Sequence, residues 1–320
     1  MLRLADARVL SAPLVMGVLQ SVNDGRRYQV LAFISVRDVL RSFVDRAREA
    51  APLRWPMLHR MAALSALGAA FGQEQIISLH VVDDGDMLYS NATRTTTLME
   101  LVRTGFLRGP RQHPAVQPRH RIGVFNSSGC ITDIISQSDI VAWLHELGPK
   151  ALGPITRATV ADLGLSSGQR VVTVPATMPT DQALSVLVAH NVSAVAVLDA
   201  ATGFLVAALS EADFRGCRPH DFGSLALPVA EWMAHTKGVS IVHDSIQHTL
   251  ADPWARALFD ARVAISLSAS ATLFQVMETL VLHRIHRVFI LDTAPNALLS
   301  VISHTDVLTA LLHQHKPETP

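Results

Sequence analysis

Four times along this chain, two short apolar runs joined by a turn end in Ser-x-x-Asp and pass into an apolar-periodic segment. The copies run from Leu10 to Val44, Arg121 to Leu144, Val192 to Phe214 and His283 to Leu312. Their tetrapeptides are Ser35 to Asp38, Ser136 to Asp139, Ser210 to Asp213 and Ser303 to Asp306. A unit this small cannot bury its apolar face alone, so the copies must pack on one another. In the third and fourth copies the acidic turn residue, Asp199 or Asp292, lies equally far from the serine. The second copy is one residue shorter counted from Asn126, and the first carries Asn23-Asp24-Gly25, a hairpin turn signal.

A helical pattern precedes each later strand pair: TTTLMELVRTGFL, TDQALSVLVAH and ATLFQVMETLVLHRI. Thr180 is the expected N-cap of the second of these. A short apolar strand precedes each helix: ISLHVV, QRVVTV and RVAISL. The unit therefore reads β-α-β-β-α, and the fold class is α/β (α+β). The expected layout is repeat one at 1–46, a helical linker at 47–74 interrupted at Pro52 and Pro56, and repeat two at 75–148. Repeat three spans 155–218, a linker 219–260, and repeat four 261–315. Pro149, Gly153 and Pro154 mark the central boundary. Repeat one lacks a first strand, and MLRLADARV reads as the end of its first helix, a better use of this segment than a targeting peptide.

With 27 basic and 27 acidic residues in 320, the chain lacks the basic surplus of a nucleic-acid or anionic-membrane binder. Two cysteines, Cys130 and Cys217, make neither a disulfide framework nor a Cys-x-x-Cys metal site. A reducing compartment, cytoplasmic and/or nuclear, is expected. No apolar run reaches the length of a membrane span.

The β-α-β-β-α unit with its final Ser-x-x-Asp resembles the CBS domain. Four copies resemble the γ regulatory subunit of AMP-activated protein kinase and its plant and algal relatives. VLSAPLV, HRIGVFN, NVSAVAVLD and IHRVFILD resemble that family's four central strands in order. The resemblance implies tandem CBS repeats arranged as two CBS pairs (Bateman modules) in a flattened disk, with two sites in the cleft of each pair. It also implies a non-catalytic sensor of AMP, ADP or ATP, assembled with kinase α and β subunits.

Ser-x-x-Asp has two readings. As a cap, the serine accepts from an orphan helix N–H, and the acid three residues on returns a bond and favours the dipole. As a ligand site, the carboxylate accepts both hydroxyls of a ribose, and the helix start faces phosphate. The expected ribose ligands are Asp306, Asp213, Asp139 and Asp38, with hydroxyl contacts from Ser303, Ser210, Ser136 and Ser35. A nucleotide also needs cations, which a cap does not. His120-Arg121 and His286-Arg287 precede the central strands of repeats two and four, and the resemblance makes them the phosphate contacts. Leu10-Ser11 and Ser193-Ala194 replace the pair in repeats one and three, and Asp139 stands where the mammalian pattern has a basic residue.

Two other readings stand beside this one: a ligand-independent CBS scaffold acting through protein contacts, and a CBS sensor of another adenosyl ligand such as S-adenosylmethionine. His283 and His286 lack a carboxylate or cysteine partner at metal-site spacing, and no metal or tightly bound cofactor is expected. Asp83, Asp84 and Asp86 lack the order of a calcium loop. His313 and His315 read as a solvated tail, and PRQHPAVQPRH as a basic loop. No nucleophile motif or P-loop is present, so catalysis is not expected.

Overall fold

The computed structural model describes residues 11–18, 27–74, 96–107, 119–125, 131–167, 171–237, 264–292 and 297–313. Outside them lie the MLRLADARV segment, the Asn23-Asp24-Gly25 turn, the strand expected at 77–82, the acidic turn, most of the basic loop, Cys130 and His315.

Repeats three and four have the same three-stranded sheet. In repeat three, β5 (Thr173–Pro175) pairs parallel with β6 (Ala194–Leu198), which pairs antiparallel with β7 (Leu205–Ser210). In repeat four, β8 (Ser266–Ser268), β9 (Arg287–Leu291) and β10 (Leu298–Ser303) repeat that order. A helix crosses from first to second strand in each, α5 (Thr180–Ala189) and α7 (Leu273–Leu282), as a parallel pair requires. Both helices end in a left-handed residue, Asn191 at φ 51° and Arg284 at φ 53°. The hairpin turns match too: Asp199 N–H donates to the Phe204 carbonyl, and Asp292 N–H to the Ala297 carbonyl. Repeat two shows its hairpin, β3 (Arg121–Phe125) with β4 (Ile131–Ser136), and repeat one pairs β1 (Ser11–Val18) with β2 (Arg27–Ser35).

Three local expectations need correction. Thr180 is not the N-cap of α5; Pro179 holds that place, and the Thr180 hydroxyl instead donates to the Leu227 carbonyl at 2.9 Å. The helix before β3 is α3 (Leu98–Glu100), capped by Thr97, widening into a π segment over Leu101–Phe106. Gly105 there lies so close to β3 that a Cβ would meet Ile122 Cδ1 at 2.6 Å. After Ser210 no long helix forms. A 3₁₀ turn, Glu211–Phe214, gives way to a second, Pro219–Ala226: Gly216 is a poor helix former, and Pro219 lacks the N–H that would carry a helix on.

The chain divides into two units. Unit 1 comprises residues 1–12, 34–82 and 171–265. It holds α1 (Val36–Ala50) of repeat one, α2 (Met57–Phe71) of the linker, repeat three and α6 (Val229–Lys237). The linker breaks over 51–56, between Pro52 and Pro56 as expected. The core gathers Phe43, Leu64, Leu184, Leu187, Leu209 and Trp232. Phe43 meets Phe222 at 4.4 Å between centroids, and Phe214 stacks on Trp232 at 4.7 Å.

Two glycines let α2 touch the Pro219–Ala226 segment. A Cβ on Gly68 would meet the Pro219 carbonyl oxygen at 2.5 Å, and one on Gly223 the Met61 carbonyl oxygen at 2.9 Å. Backbone cannot swing aside as a side chain can. Gly68→Ala is therefore expected to lose about 1–3 kcal/mol despite alanine's better helix propensity, as measured by urea unfolding.

Unit 2 comprises residues 13–33, 83–170 and 266–320, and so takes most of the repeat-one hairpin along with the hairpins of repeats two and four. Its helices include α4 (Gln137–Leu152), kinked at Gly148 (φ 77°) before Pro149, and α8 (His304–His313). His145 of α4 stacks on Phe274 of α7 at 4.9 Å. Residues 158–161, at the expected start of repeat three, bond to the start of α7: Leu273 N–H to the Ala158 carbonyl, Val160 N–H to the Ala271 carbonyl.

Candidate functional site

Every Ser-x-x-Asp is a cap. In all four, the aspartate Oδ2 accepts both the serine N–H and the serine hydroxyl. The N–H distances are 2.7 Å (Ser35, Asp38), 2.8 Å (Ser136, Asp139), 2.6 Å (Ser210, Asp213) and 2.7 Å (Ser303, Asp306). The hydroxyl distances are 2.6, 2.7, 3.0 and 2.7 Å in the same order. Asp38 is buried, Asp213 and Asp306 are half-buried, and Asp139 is exposed.

Strand register fixes what stands opposite each capping serine. Arg121 pairs with Ser136, Ala194 with Ser210 and Arg287 with Ser303. The basic pair and the helix start are thus cross-strand neighbours in repeats two and four. The pair's absence from repeat three is a true substitution by Ala194.

The residue just after each serine was not singled out by sequence. Val36, Gln137, Glu211 and His304 hold that place, and all are buried. Three are polar, and each lies at the start of a helical turn whose side chain points inward. The only sequence signal is their shared position in the repeat.

In unit 2 these buried residues bring repeats two and four together. Thr305 Oγ1 donates to Gln137 Oε1 at 2.9 Å, and Gln137 Nε2 donates to the Arg119 carbonyl at 2.8 Å. Ser138 Oγ lies 3.4 Å from His286 Nδ1, and the His286 ring meets the His304 ring edge-on at 5.6 Å. Burial pushes His304 down to about 3 from 6.5, helped by the charges of His286, His120 and Arg287 and opposed by Asp139. Three of the four expected phosphate contacts therefore act on one buried imidazole. Arg121 sits opposite Ser136 in the same unit.

In unit 1 the corresponding contact joins repeats one and three. Arg37 Nε donates to Glu211 Oε1, and both side chains are mostly buried. The capped starts in contact are thus one with three and two with four, rather than chain neighbours. Burial first, then Asp221 and Asp213, push the Cys217 thiol up to about 12, which keeps it protonated near neutral pH. Among the described residues, no group of three or more His, Cys, Asp or Glu could hold a metal ion. No helix among them is long and apolar enough to cross a membrane.

Residues 260–313 match the family model of the CBS domain, and the recurring hairpins closed by Ser-x-x-Asp caps give the chain a multi-CBS architecture. The fold extends across the chain. A protein from Methanocaldococcus jannaschii, proposed as an archaeal homologue of γ-AMPK, superposes with a TM-score of 0.54 at 12% identity, over 96% of this chain and 89% of that one. An uncharacterised conserved protein from Pyrococcus horikoshii gives 0.42 at 20% identity, covering 60% of this chain and 69% of that one. A CBS domain protein from Pyrobaculum aerophilum, solved with AMP, gives 0.30 at 15% identity, covering 48% and 98%. Of these three, the Methanocaldococcus protein alone is similar enough to speak for the whole fold. No curated protein matches this chain in sequence.

Proposed function

We propose that this chain is a non-catalytic, adenine-nucleotide-sensing regulatory protein whose nucleotide phosphate sits among His120, Arg121, His286 and Arg287 of unit 2. The observation that carries the reading is the convergence of His120, from repeat two, and His286 and Arg287, from repeat four, on the buried His304, with Ser138 Oγ 3.4 Å from His286 Nδ1. A cap needs no such charge, and an anion relieves it. Two capped helix starts, α4 and α8, add dipole ends of the same sign.

The ribose falls to the capping aspartates. The cap already holds Oδ2, so Asp139 and Asp306 are oriented before ligand arrives. The diol then bonds Oδ1, or displaces the serine hydroxyl. Output follows from differential affinity: the nucleotide shifts a partner equilibrium only as far as it prefers one state. The partner in this reading is a kinase complex of α and β subunits, in the cytoplasm or nucleus.

Calorimetry with AMP, ATP and adenosine tests this. Arg287→Ala is expected to weaken AMP by about 1.5–3 kcal/mol, roughly ten- to a hundredfold, and to leave adenosine nearly unchanged. Equal losses for both ligands would move the phosphate elsewhere. A purely structural scaffold, which the four intact caps also suit, predicts no binding of either ligand.

A further inference from the structure

The cross-repeat contact differs in charge between the units. In unit 2 it is neutral, from the Thr305 hydroxyl to the Gln137 amide. In unit 1 the same two places, second residue of one repeat and first of the other, hold Arg37 and Glu211. Arg37 Nη1 also donates to Asn191 Oδ1 at 3.2 Å, and Arg41 Nη2 to the same oxygen at 3.4 Å. Asn191 is the left-handed residue that ends α5.

Arg37 is poorly placed in its own helix. It sits in the first turn of α1, where the dipole opposes a cation. Arg41 follows one turn later. Opposite them lies the Glu211–Phe214 turn, where the Glu211 N–H already donates to the Ser193 carbonyl. The Glu211 carboxylate answers Arg37, with which it is paired, while Arg41 goes to Asn191. Unit 2 has cations and two helix starts but no carboxylate at the corresponding positions, Gln137 and His304.

We propose that Glu211 is a built-in counter-anion. Paired with Arg37, it holds repeats one and three of unit 1 together as a ligand's phosphate holds repeats two and four of unit 2. Unit 1 is closed without ligand, and phosphate sensing belongs to unit 2. A tethered carboxylate is present at high effective concentration and repels an incoming phosphate. Asp38 and Asp213 then serve unit 1 as caps. The statement about unit 2 rests on the function proposed above; the statement about Glu211 does not.

The test is Glu211→Gln, made in an Arg287→Ala background that weakens AMP binding in unit 2. Melting is followed in sodium phosphate and in sodium chloride of equal ionic strength, and AMP stoichiometry is measured by calorimetry on the full chain. Glu211→Gln should melt a few degrees lower in chloride. It should recover most of that loss in phosphate, and bind one more AMP than its parent does. Arg37→Met/Glu211→Gln, which removes both charges, should fold and ignore phosphate. A Glu211→Gln chain that is unfolded in both salts, or melts identically in both, overturns the proposal. So does a parent that already responds to phosphate through unit 1. Failure of the wild-type chain to bind AMP would sink the function proposed for unit 2, and the salt comparison would still decide the role of Glu211.

Discussion

Asp181→Ala is expected to lose about 3–5 kcal/mol of stability, the largest effect of any single change considered for this chain. Asp181 lies in the first turn of α5, where its Oδ2 accepts from Arg60 Nη2 of the linker helix α2. Both residues are more than nine-tenths buried. Arg60 Nε and Asp181 Oδ1 have no hydrogen-bond partner, so the pair is already under-satisfied. Removing the carboxylate strands a guanidinium away from water, and arginine cannot shed its proton to escape. The penalty belongs to the orphaned charge rather than to the bond. Arg60→Met/Asp181→Leu, which deletes both charges and keeps volume, should therefore recover most of the loss. Urea unfolding of the three chains measures this. An Asp181→Ala chain within 1 kcal/mol of wild type, by the ~1–3 kcal/mol scale of lesser buried polar losses, would mean that water reaches Arg60.

The second large effect is acid destabilisation centred on His304. Its folded-state pKa lies near 3, below the unfolded 6.5. Above pH 6.5 both states are neutral there and the group contributes nothing to the pH dependence. Between 6.5 and 3 the unfolded chain takes a proton that the folded chain refuses, so stability falls as pH falls. The slope approaches about 1.4 kcal/mol per pH unit, or roughly 2–3 kcal/mol lost by pH 4.5. His286, His120 and Arg287 deepen the effect, and Asp139 opposes it. His304→Gln copies the residue that repeat two carries at this place, Gln137, and should remove that slope. Equal acid slopes for wild type and variant would contradict the placement of His304.

Much of this architecture is legible in sequence because duplication prints it four times. The hairpins end at the expected serines, the acid three residues on closes each described cap, and the linker breaks between Pro52 and Pro56. Local rules fail where tertiary contacts decide. Thr180 looks like an N-cap, but Leu227 offers its hydroxyl a carbonyl, and the cap moves to Pro179. The pairing of repeat one with three and of two with four is set by long-range contacts that no local pattern encodes.

The candidate site divides in the same way. The basic pairs are legible because a cap does not require them. The buried residues beside the caps are not: Val36, Gln137, Glu211 and His304 share a position but no chemistry, so no motif links them. Arg60 reads as one charge in an apolar helix, and only the fold supplies its partner, Asp181. Arg37 is a legible oddity, a cation at a helix start, and its partner lies 174 residues away.

The central claim, a phosphate held in unit 2, is tested most directly by following the His304 ring resonance through pH titrations of the free, AMP-saturated and adenosine-saturated protein. A phosphate among His286, His120 and Arg287 offsets the charges that help depress His304, so AMP should lift its pKa clearly above 3 toward 6.5. Adenosine, lacking the anion, should leave it near 3. A His304 titration that AMP leaves unchanged would contradict the claim.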